Sequence, residues 1–87
     1  MGNPVKVEVM TISVKDDSRW HGMYRASEQQ KFELQVKFPQ GQTTYVYAPY
    51  LEARWEEIEV APEIRKWELQ VKSKTKQPLI VTLNIIV

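Results

Sequence analysis

Phe32-Glu33-Leu34-Gln35-Val36-Lys37-Phe38 decides the fold. Apolar and polar side chains alternate without a break, the signature of a strand with one buried and one wetted face. Pro39-Gln40-Gly41-Gln42 follows as a hairpin turn, with Gly41 supplying a positive φ. Residues 43–47 form the return strand. Upstream, Val5, Val7 and Val9 alternate with Lys6 and Glu8. The phase then shifts to Met10, Ile12 and Val14, which places a β-bulge near Val9-Met10. Residues 15–22 break the pattern and read as a polar loop, and strand character resumes near Met23.

Downstream, residues 64–71 read as a strand with Trp67, Leu69 and Val71 on its core face. Residues 72–78 are a polar, basic turn. Residues 79–87 form a final strand with Leu79, Val81, Leu83, Ile85 and Val87 inward and Ile80 and Ile86 on the other face. Residues 50–59 are ambiguous. Leu51, Trp55 and Ile58 have helical spacing, whereas Trp55, Ile58 and Val60 also suit an irregular strand; a short helix or turn is the favoured reading. Ala61-Pro62 ends that element. The whole, 1–87, is expected to be one all-β domain. The expected architecture is a small five-stranded OB-like barrel with an extended β-hairpin, and an SH3-like barrel is its competitor.

A chain of 87 residues supports one core. It buries roughly 60–65% of the surface its unfolded form exposes, so stability is marginal. Cysteine is absent, so no disulfide adds to it. No stretch is long and apolar enough to span a membrane, and no signal-peptide apolar region opens the sequence. A cytoplasmic location and no membrane partner are expected.

Several chemistries lack their residues. His21 is the single histidine, so no metal site is expected. Ser18, His21 and Asp17 make a triad only on paper, as neighbours in one loop. The glycines are Gly2, Gly22 and Gly41, which form no phosphate loop. Asp16-Asp17 and Glu56-Glu57 are adjacent in sequence, so a strand would point them to opposite faces. No enzyme and no cofactor are expected.

Binding chemistry is better represented. Arg19, Trp20, Tyr24, Arg25, Lys31 and Phe32 interleave cations with flat rings. Single-stranded nucleic acid needs that mixture: cations meet phosphates, and rings stack on unpaired bases. Trp20 sits between Arg19 and His21 in a polar loop; it either meets a ligand or folds back to cap the barrel. Tyr45 and Tyr47 share a strand face, and either stacks or packs. Phe32 falls on the Leu34/Val36/Phe38 core face. Lys72, Lys74 and Lys76 are a solvated turn or, beside the 19–25 loop, part of a phosphate track. Charge is uneven: residues 49–63 carry Arg54 against five glutamates, and residues 64–87 carry five Lys/Arg against Glu68.

Val7-Glu8-Val9, Ile12-Ser13-Val14-Lys15, Gly22, Tyr24, Glu28-Gln29, Phe32, Gly41-Gln42 and Tyr47-Ala48-Pro49 together resemble the single-stranded-DNA-binding proteins of filamentous phages, the gene V protein type. The resemblance covers residues 5–49. Met23 follows Gly22 where the family has proline, and the glutamate-rich stretch 52–63 has no counterpart. The resemblance implies an OB-like barrel, a homodimer, and cooperative coating of single strands without sequence preference. It puts Arg19, Tyr24 and Arg25 on an exposed hairpin wing and gives Phe32 a stacking role.

The expected function is therefore sequence-nonspecific single-stranded DNA binding through Lys15, Arg19, Trp20, Tyr24, Arg25, Phe32, Tyr45, Tyr47, Lys72, Lys74 and Lys76. The competing expectation is a small protein-interaction module or inhibitor that docks through its acidic stretch 52–63.

Overall fold

The computed structural model describes residues 5–87; residues 1–4, the lead-in to the first strand, lie outside them. The fold is all-β. Seven strands run β1 Lys6–Val14, β2 His21–Ala26, β3 Phe32–Lys37, β4 Thr43–Thr44, β5 Leu51–Ala61, β6 Ile64–Ser73 and β7 Leu79–Ile86. They form two antiparallel sheets, one ordered β1-β7-β3-β4 and the other β2-β6-β5. The count is seven rather than five, and no strand belongs to both sheets, so the pairing does not close into one ring.

Alternation explains the pairing. On the first sheet Leu34 faces Leu83, Val36 faces Val81, and Val14 faces Leu79. On the second, Ala53 faces Val71 and Trp55 faces Leu69. The two inner faces meet in one core of Val14, Met23, Leu34, Val36, Leu51, Leu69, Val71, Leu79, Val81, Leu83 and Ile85. Aromatic rings close its ends. Trp55 meets Tyr24 and Phe32 edge-on, with centroids 6.4 and 6.1 Å away, and Phe38 meets Tyr50 at 4.9 Å.

The bulge falls where the change of phase puts it, between Glu8 and Met10. Gly41 has φ 98°, and its amide donates to the Phe38 carbonyl at 2.9 Å. The return strand after that turn is short, since only Thr43–Thr44 pairs with β3. Val87 was expected inward but is exposed.

The favoured helix over 50–59 is overturned: Tyr50 lies in a turn and residues 51–59 belong to β5, whose ladder with β6 runs from Leu51 opposite Ser73 to Ala61 opposite Ile64. Leu51 and Trp55 are four residues apart, a spacing that both a helix and a strand place on one face. Ile58 separates the two cases, and it lies on the other face, opposite Lys66. Pro62 and Glu63 make the turn. Glu63 takes φ 64°, and its amide donates to the Glu59 carboxylate at 3.1 Å.

β2 follows β6 only as far as Ala26 opposite Trp67. Beyond that pair, β5 and β6 continue as a two-stranded arm. Trp67 stands at its root, half-buried and outside the core, although the sequence pattern groups it with Leu69 and Val71. The molecule is a slab of 43 × 41 × 18 Å. Its radius of gyration is 13.7 Å, against about 12 Å for a compact chain of this length. Among the described residues no helix is long and apolar enough to cross a membrane.

The core sets an expected contrast. Leu83 is fully buried, and Ile80 sits on the open outer face of the same strand. Leu83→Ala should cost about 2–5 kcal/mol. Ile80→Thr should stay within about 0.5 kcal/mol. Urea unfolding followed by circular dichroism measures both.

Candidate nucleic-acid interface

The β1–β2 loop and the β6–β7 turn lie at one end of the slab. Val14 faces Leu79, so Lys15 leaves its strand where the turn carrying Lys74 and Lys76 enters β7. His21 faces Val71, which brings Arg19 and Trp20 to the same end. This pole gathers Lys15, Arg19, Lys72, Lys74 and Lys76, with Asp16, Asp17 and Glu52 as the nearby acids in sequence and register.

Local hydrogen bonds fix both segments. The Asp17 carboxylate accepts from the Arg19 amide at 3.1 Å and from His21 Nε2 at 2.9 Å. The hydrogen bond from His21 holds the Asp17 carboxyl below its ordinary value, against the opposing effect of burial. Ser18, between these groups, takes φ 57°. In the turn, Ser73 Oγ and Thr75 Oγ1 lie 3.2 Å apart, and Thr75 Oγ1 donates to the Gln77 carbonyl at 2.9 Å. Ser73 is buried and Thr75 half-buried, whereas Lys74 and Lys76 are exposed. Lys74 Nζ also donates to the Ala48 carbonyl at 3.1 Å.

Trp20 lies on the outer surface of the second sheet. The Arg54 guanidinium is 4.0 Å from its ring centroid and Lys72 Nζ is 4.8 Å away. Such contacts are worth about 0.5–2 kcal/mol. Trp20 is half-buried and is not packed into the core, so it does not cap a barrel. Arg54 in turn donates to Gln70 at 2.9 Å and pairs with Glu56 at 2.7 Å. Gln70 donates to Glu68 at 2.8 Å, and Arg25 Nε donates to the other Glu68 oxygen at 2.9 Å. A polar chain thus crosses all three strands, from Arg25 to the ring of Trp20.

Glu68 is the most enclosed carboxylate of that chain, with its side chain 12% exposed. Burial pushes its carboxyl up. The hydrogen bonds from Gln70 and Arg25, with Arg25's charge, outweigh burial and leave it below the ordinary value. Gly22 is what admits it: a Cβ there would lie 2.7 Å from the Glu68 carboxyl carbon.

The other expected site residues do not converge on this pole. Arg25 is committed to Glu68, and β2 is paired to β6 rather than projecting as a wing. Tyr24 packs on the core, and its hydroxyl donates to Gln30 at 3.0 Å. Phe32 is partly buried and packs on the core against Trp55, as its alternation implies. Tyr47 packs on the core as well. Tyr45 is 54% exposed but lies elsewhere, with Lys6 Nζ 5.5 Å from its ring. Lys72 is shared between Trp20 and Glu52, the latter at 3.2 Å. Arg54 was missed. It looked like a lone cation in an acidic run, and only the pairing of β5 with β6 carries it to the ring.

No protein-family model, curated protein or solved structure matches the chain.

Glu68 gives a checkable pH dependence. Its folded pKa lies below its unfolded one, so its ionised form stabilises the fold at neutral pH. That contribution is complete above the ordinary glutamate value of about 4.3. It is lost as pH falls through the lower folded value. Arg25→Ala should raise the Glu68 pKa toward the ordinary value and flatten the acid limb of the stability curve. Carboxyl-carbon NMR titration, with urea unfolding at several pH values, measures both.

Proposed function

We propose that this chain binds single-stranded nucleic acid, DNA in the first instance, without reading its sequence. One observation carries the reading: an indole on the sheet surface has two cations within 5 Å of its centroid, at the pole where Lys15, Arg19, Lys74 and Lys76 turn outward. A base stacking on Trp20 takes the place of those cations on the ring. Arg54 and Lys72, so displaced, stay beside the phosphates of the same strand. Stacking contributes about 1–3 kcal/mol per base and tolerates any base. The lysines add a salt-sensitive, sequence-independent attraction.

The resemblance over residues 5–49 to the phage single-stranded-DNA-binding proteins points the same way. Its detailed assignment of Tyr24, Arg25 and Phe32 is not part of the proposal, because those side chains are spent on internal contacts.

A second reading is favoured by the arm. Glu57, Glu59 and Glu63 stand along it beside Arg65 and Lys66, Glu56 lies just before its root, and Ile64 near its tip is 53% exposed. That surface suits a basic protein partner, as the competing expectation had it.

Titration with oligo-dT separates the two. The first reading expects quenching of tryptophan emission that added salt reverses, and loss of the quench in Trp20→Phe. Lys74→Ala and Lys76→Ala should each weaken binding evenly across sequences and lower the salt slope by about 1. Unchanged emission at low salt rejects the first reading. Reversal of Glu56 and Glu57 to lysine should leave oligo-dT affinity intact or raise it, and should abolish docking if the arm is the working surface.

A further inference from the structure

The two sheets leave a flank open where their edge strands β1 and β2 adjoin. A cleft of about 390 Å³ lies there, lined by Met10 of β1, by Gly22, Met23, Tyr24 and Arg25 of β2, and by Glu68 of β6. A volume of that order suits a small molecule. A bulge shapes the cleft. Gly22 faces Gln70 and Arg25 faces Glu68, with the register shift between Gly22 and Tyr24. Gly22 and Arg25 differ by an odd number of positions, so a regular strand would set them on opposite faces. The extra residue, Met23, brings both to the face of Glu68 and is itself buried.

Arg25 is the donor that this cleft presents. Its Nε donates to Glu68 Oε2 at 2.9 Å. Glu68 Oε1 accepts from Gln70 at 2.8 Å, so both carboxylate oxygens are taken. The bare Gly22 lets Glu68 sit close, since a Cβ there would lie 2.7 Å from its carboxyl carbon. The ion pair therefore fixes the guanidinium along one edge. Among the described residues, Nε is the one atom of the Arg25 side chain in a hydrogen bond, and that side chain is 58% exposed. The two Nη groups remain as a positioned pair of donors in want of an acceptor.

We infer that this cleft binds a small aromatic carboxylic acid, its carboxylate accepting from both Nη groups of Arg25 and its ring lying against Met10 and Met23. The planar fork of an arginine matches the two oxygens of a carboxylate, and such charge-assisted bonds are stronger than bonds to a neutral carbonyl. Thioether side chains adapt their shape to a flat ring and make favourable sulfur–aromatic contacts. Arg25 and Glu68 are neutral as a pair, so selection rests on close geometry rather than on long-range attraction. A second hollow, of about 230 Å³ beside Ser13, Pro39, Pro78, Leu79 and Ile80, has no charged side chain in its lining to orient a ligand. The inference does not depend on what the basic pole binds.

Titration of the isotope-labelled full chain with phenylacetate, followed by amide and methionine-methyl NMR, tests it. Saturable shifts are expected at the Gly22, Met23, Tyr24 and Arg25 amides and at the Met10 and Met23 methyls. Phenylacetamide keeps the ring and loses the charge, and acetate keeps the charge and loses the ring; each should bind at least about tenfold more weakly. Arg25→Gln can still donate to Glu68, so it should keep a dispersed spectrum while phenylacetate affinity falls at least about tenfold. Arg25→Lys keeps the charge without the fork and should lose most of the same affinity. No saturable shift up to millimolar phenylacetate overturns the inference. So do shifts confined to other parts of the chain, phenylacetamide or acetate binding as tightly as phenylacetate, or full affinity in either Arg25 variant.

Discussion

The interior of this protein is a single apolar layer, and the remaining structure depends on keeping it dry. Eleven buried hydrophobic residues from two sheets form it, with no disulfide to assist. β7 supplies Leu79, Val81, Leu83 and Ile85 and is paired on both sides, to β1 and to β3. β6 has the same central place in the second sheet, between β2 and β5. The edge-on contacts of Trp55 with Phe32 and Tyr24, and of Phe38 with Tyr50, keep water from the two ends. Aromatic residues that could have served as a recognition surface are used there instead.

That use of the rings accounts for how the site is composed. Once Tyr24, Phe32 and Tyr47 are packed on the core, Trp20 is left outside it at the cationic pole. The arm at the other end mixes charges: Glu57, Glu59 and Glu63 stand beside Arg65 and Lys66, and Arg65 pairs with Glu57 at 3.3 Å. The near-neutral total charge therefore conceals a local gathering of cations at the cationic pole, and a local field of this kind attracts charge of opposite sign.

Much of the architecture is legible in the residues. The alternation of residues 32–38, the Gly41 turn, the bulge before Met10 and the inward row of β7 all follow from period two and turn chemistry, because each is local. Residues 50–59 are not legible, since Leu51 and Trp55 fit either period and the partner strand decides between them. The site is half legible for a related reason. Trp20 and the turn lysines stand out by composition. The roles of Arg25, Arg54 and Phe32 depend on which strand lies alongside, and that information resides in pairings between distant segments. Pairing of β1 with β7 joins Lys6 to Ile86, a separation that composition and periodicity do not encode.

The slab is 18 Å thick, and two sheets about 10 Å apart leave no room for a further layer. A side chain on a strand therefore points either to the shared interior or to the outside. Sequence change in such a molecule divides sharply. One broad exterior on each side is open to remodelling, while the interior accepts little beyond exchanges among aliphatic residues of similar size.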